Sequence, residues 1–141
     1  MNEQISVHDN ILLGYDVDSQ RKRIVFRTEY PHTEEKQKTD VIFEDVKAYH
    51  FEGDLFSTII FDIEEIEPAT AMKQIPEVFE RRAKHGWPQG WEKKKESFEE
   101  FASRLDLKAY WIQSSYGLDG FVLAKSMKKT SANQALQTTS A

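Results

Sequence analysis

Apolar and polar positions alternate through the first half of the chain. From Ile11 to Val17, Leu13, Tyr15 and Val17 recur at every second residue, the period of a half-buried strand. Asp18-Ser19-Gln20 supplies turn chemistry, and Arg23 to Glu29 alternates again, with Ile24, Phe26 and Thr28 on one side. The two runs predict a hairpin. Tyr30 to Lys38 is polar and carries Pro31, so it reads as a loop. Asp40 to Phe51 is a longer extended stretch whose parity slips: Val41 and Phe43 share one face, Val46 and Ala48 the other. One extra residue near Glu44-Asp45 repairs the pattern and predicts a β-bulge or a short break there. Gly53-Asp54 then turns the chain into a strand from Leu55 to Ile66. Four extended segments with short links predict an antiparallel meander.

The period changes at Pro68. Met72, Ile75, Phe79 and Ala83 recur at helical spacing, but Pro76 lacks an amide donor and predicts a kink, with the main helix over 75–84. Gly86 and Pro88 stop it. Ser97 and Glu100 form a capping-box pattern ahead of Phe98, Phe101, Ala102 and Leu105, which predicts a second helix over 97–105. Leu107 to Gln113 and Gly120 to Lys125 return to period two and form a C-terminal hairpin around Ser114-Ser115-Tyr116-Gly117. The expected fold class is therefore α+β: an antiparallel sheet of about six strands, in the order ββββααββ, with two helices on one face.

Length then limits the organisation. The chain's 141 residues suit one domain, read as 1–127, followed by a Ser/Thr/Gln-rich tail, 128–141, expected to be disordered. With no cysteine, thiol catalysis, thiolate zinc sites and disulfides are excluded. The start, MNEQISVHDN, shows no signal-peptide pattern, and no apolar run is long enough for a bilayer. A cytoplasmic location is expected.

Charge changes the picture more. The net charge is −5, yet residues 40–67 hold nine acids against Lys47 alone, while the stretch after Glu67 has twelve bases and eight acids. A polarised surface follows, which concerns partners rather than fold. Solvated strand ends are the plain alternative.

Candidate chemistry is sparse. His8, His32, His50 and His85 show no metal-ligand spacing, and no catalytic or metal site is assigned. His8-Asp9 and Ser114-Ser115 contain the residue types of a Ser-His-Asp device, but the serines lack the flanking glycines of a nucleophile elbow. No motif implies a cofactor. Trp87 and Trp91, between the helices, either plug the core or form a recognition surface. Lys93, Lys94 and Lys95 near them resemble a nucleic-acid surface, but the acidic balance and interleaved Glu92, Glu96, Glu99 and Glu100 argue against one.

Three phrases, HDNILLGYDVD, TDVIFEDVKAYHFE and IQSSYGLDGFVLAKSM, resemble a family of small, mostly uncharacterised bacterial proteins over residues 8 to 127. In size, charge and architecture the chain is also similar to immunity proteins, which neutralise toxins. That analogy implies a non-enzymatic domain binding a basic, toxin-like protein. The expected contact residues are Glu44, Asp45, Asp62, Glu64 and Glu65, with Trp87 and Trp91 beside them. The alternative is a small-ligand binder or enzyme with an aromatic pocket between sheet and helices, lined by Tyr15, Tyr49, Trp87, Trp111 and Tyr116. A homodimer through the edge of the C-terminal hairpin is a third reading beside a monomer. No membrane contact is expected.

Overall fold

A computed structural model describes residues 5–131. The first hairpin joins β1 (Ile11–Asp18) to β2 (Arg23–Glu29), and its turn is built without glycine. Asp18 Oδ1 accepts from the amides of Gln20 and Arg21, both at 3.1 Å, and Lys22 takes the left-handed conformation, φ 56°. A bulge at Leu13 sets Leu12 opposite Thr28 and Gly14 opposite Arg27, so Leu12 and Tyr15 turn to the core and Leu13 is left outside it. The anticipated Leu13–Tyr15–Val17 face is thus broken at its first member.

The 40–51 stretch is two strands, β3 (Lys38–Glu44) and β4 (Ala48–Glu52). After β5 (Ile59–Ile66), the chain ends in β6 (Lys108–Tyr116), β7 (Asp119–Ala124) and β8 (Ser126–Ser131). All eight strands form one antiparallel sheet in the order β4-β7-β6-β5-β1-β2-β3-β8. β4 and β8 are its two ends, yet β4 follows β3 after three residues and β8 follows β7 after one. Such short links require the ends to lie side by side, so the sheet curls back on itself. The strands β3–β4 and β7–β8 make one bent two-stranded ribbon. Glu44 faces Ser126 and Ala48 faces Leu123, so four steps on one strand match three on the other. That extra residue is the one the slipped parity predicts, and Asp45 absorbs it at φ 54°.

Three short helices cover part of the outer face: α1 (Pro68–Gln74), α2 (Pro76–Ala83) and α3 (Phe98–Arg104). Pro76 does more than kink. It is the first residue of a new helix, and Ile75, at φ −136°, separates α1 from α2. Ser97 and Glu100 close the capping box on α3. The period-two pattern of β6 and β7 divides the core in two. Tyr110, Ile112, Val122 and Ala124 point inside the curl, towards Ile24, Phe26, Val41, Phe43 and Ile60. Ala109, Phe121 and Leu123 point outwards, under Phe79, Trp91, Phe98 and Phe101 of the helical layer. β7 is buried on both faces, which explains its unbroken apolar run.

The expected six-stranded α+β layer is therefore overturned: the fold is mostly sheet, with eight strands and three helices. Two strands came from splitting 40–51 and from β8, whose residues 128–131 lay in the expected tail. β8 carries one large apolar residue, Met127, and is held by backbone pairing to β3, which leaves no periodic signature. Residues 132–141 of that tail lie outside the described residues. No helix among the described residues is long and apolar enough to cross a membrane.

Candidate functional site

β5 carries the densest acidic segment on the structure. It pairs with β6 along its length, but with β1 only at Ile59, opposite Ile11. From Phe61 onwards its β1-facing side has no strand partner. Phe61 is the extra residue of a bulge between Ile60 and Asp62, and this throws its ring outwards, 49% exposed, with His8 edge-on at 5.1 Å. His8 Nδ1 lies 2.8 Å from the Phe61 carbonyl, and Asp62 Oδ1 accepts from the Ile63 amide at 2.9 Å. These two contacts occupy part of the bare edge.

The acids of β5 divide between two faces. Asp62 and Glu64 share the outer face, opposite Gln113 and Trp111, and Gln113 Nε2 donates to Glu64 Oε1 at 3.1 Å. Glu65 shares its face with Tyr110, and burial, reinforced by the charges of Glu65 and Asp106, pushes the Tyr110 phenol up to about 12. Asp62, Glu64 and Glu65 are exposed, and among the described residues none forms an ion pair.

The remaining anticipated contact residues lie elsewhere. Glu44, at the end of β3, is tied to Arg23 Nε at 3.2 Å. Asp45 is exposed in the ribbon bend. Trp91 is a core residue, 9% exposed, with its indole N–H donating to the Glu96 carbonyl at 3.1 Å and its ring against Phe98. Trp87 packs on Phe79 at 5.0 Å and is half-buried. The seven anticipated residues thus do not form one surface: Glu44 and Asp45 adjoin at the ribbon bend, while Asp62, Glu64 and Glu65 lie along β5.

The five aromatics of the pocket reading also disperse. Tyr15 turns into the curl against Phe26 and Phe51, and Trp111 stacks on Phe121. Tyr116 stands exposed at the end of β6, opposite Ile59, and the Thr58 hydroxyl just before β5 accepts from the Leu118 amide. Tyr49 and Trp87 alone among them share a groove. The Ser114 hydroxyl donates to the Leu118 carbonyl and the His8 ring is engaged with Phe61, so no serine–histidine pair forms among the described residues. No group of three or more histidines and carboxylates converges there as a metal site. The C-terminal hairpin has no free edge, because β7 lies between β4 and β6.

Phe61 escaped the sequence reading because alternation placed it inside the strand pattern, and only the bulge turns it out. Comparison with protein-family models, with curated proteins and with solved structures returns no match.

Proposed function

We propose that this domain acts by binding and not by catalysis, receiving a basic protein partner on β5 in the manner of an immunity protein. The observation that carries the reading is the acids of β5, Asp62 and Glu64 on its outer face and Glu65 on the other, all exposed and without ion pairs among the described residues, on a strand whose bare edge also bears the half-exposed ring of Phe61. Carboxylates already neutralised by neighbours, as Glu44 is by Arg23, have less charge to offer. Carboxylates fixed on a strand and left unpaired steer a cationic partner and set its register, while an apolar ring supplies the desolvated contact. Trp91 has no part in this surface, since it is spent on the core.

The test begins with capture of a partner at two salt concentrations, followed by its purification. An Asp62→Asn, Glu64→Gln, Glu65→Gln variant is expected to slow association about tenfold or more at low salt, with the difference shrinking as salt rises. Phe61→Ala is expected to speed dissociation. Unchanged rates in both variants would remove β5 from the interface.

A further inference from the structure

We propose that the groove between the β1–β2 turn, the β3–β4 link and the end of α2 binds a small phosphate-bearing molecule with a flat apolar body, the chemistry of a nucleoside monophosphate. This site is independent of the β5 reading. The groove measures about 570 Å³, within the usual range for small-molecule sites. Its charged lining is cationic: Lys22 from the turn, Arg23 from the start of β2, Lys47 from the link, Arg82 and His85 from α2 and its exit, against Asp18 alone. In a chain of net charge −5, gathering four permanent cations from three distant segments departs from the average surface.

Solvated lysines at a turn tip are the plainer explanation, and two observations weigh against it. First, Lys22, Lys47 and Arg82 hold no ion pair among the described residues, whereas Arg23 is tied to Glu44. Second, the walls are held in place. The Lys22 carbonyl accepts from the Val46 amide at 2.8 Å, which locks the turn to the ribbon bend. The Trp87 amide donates to the Arg82 carbonyl at 3.1 Å, and the Trp87 ring is held by Phe79. A preorganised site spends little of its binding energy on ordering itself.

The lining also dictates the shape of the ligand. A doubly charged phosphate is matched by the planar fork of Arg82 with Lys22 and Lys47 as point charges. Val17, Ile24, Val46, Tyr49 and Trp87 supply apolar wall next to those cations. Tyr49 remains 39% exposed, which leaves ring surface for a flat base. The acidic remainder of the molecule repels a long polyanion, which restricts the ligand to a small one.

The test is titration calorimetry of the full chain with adenosine monophosphate, and separately with adenosine, inorganic phosphate and an acidic peptide. Adenosine monophosphate is expected to bind about tenfold or more tightly than either half alone, since both parts of the groove then contribute. Lys22→Ala and Arg82→Ala are each expected to weaken it about tenfold or more, and Lys93→Ala with Lys94→Ala to leave it unchanged. Thermal unfolding of each variant checks that the fold persists, and Lys47→Gln provides a second probe of the groove if Arg82→Ala unfolds. No binding at millimolar nucleotide overturns the proposal. Binding that survives the groove substitutions, or preference for the acidic peptide, overturns it equally.

Discussion

Gly120 lies where β7 passes β4, and a methyl group on its Cα would collide with the carbonyl oxygen of His50. The obstacle is backbone, so it cannot swing aside as a side chain would. Gly120→Ala is expected to cost about 3 kcal/mol, read from chemical denaturation. Nearby strands meet through a buried polar chain: Asn10 Nδ2 donates to Thr28 Oγ1 at 2.9 Å, and Thr28 donates to the Thr39 carbonyl at 2.7 Å. Thr28→Val keeps the shape but orphans the Asn10 amide, an expected loss of about 2 kcal/mol by the same measurement. Tyr15 and Tyr110 carry a pH signature. Burial first raises both phenols to about 12; the hydrogen bond from Tyr15 to Asp54 adds to the first and the Glu65 charge to the second. An acid whose folded pKa is raised ionises sooner in the unfolded chain, so its contribution is intact below about pH 10 and is lost by about pH 12. Unfolding midpoints are expected to fall across that window, and less steeply in Tyr15→Phe. Gly120 and the Asn10–Thr28 contact were illegible in sequence, because both depend on which strands become neighbours.

At the scale of elements, local chemistry and tertiary pairing contributed unequally. α3 was legible because Ser97 and Glu100 satisfy each other within four residues, with Ser97 Oγ accepting from the Glu100 amide at 3.0 Å. Ser97→Ala is expected to cost about 1 kcal/mol, seen as a lower thermal midpoint. The break at Asp45 was legible as a parity slip, although its consequence was not. A slip of one residue reads as a bulge within one strand; here it lets the ribbon turn a corner and join both ends of the sheet. A β-branched residue tolerates φ 54° poorly, so Asp45→Val is expected to cost about 1–2 kcal/mol while Asp45→Gly is tolerated. β8 was illegible, since Ser126–Ser131 earns its place through backbone hydrogen bonds and its lysines blunt an edge that would otherwise recruit other chains.

For the whole molecule, β8 covers β3 across a long stretch of sequence. A chain ending at Lys125 is expected to expose the β3 edge and to aggregate on warming, which light scattering would register. The acidic middle of the sequence does not become one acidic face. Its carboxylates divide among the ribbon bend, the two faces of β5 and the loop after β4, so local density in sequence overstated density in space.

The order of charges, the strand and helix periods, the capping box and the extra residue at Asp45 were determined by the sequence alone, because each is settled by neighbours a few residues away. The curl of the sheet, the exposure of Phe61, the burial of Trp91 and the meeting of Lys22, Lys47 and Arg82 were decided only by the tertiary structure. Each depends on hydrogen bonds and packing between residues far apart in the chain, and backbone pairing of that kind is blind to side-chain identity.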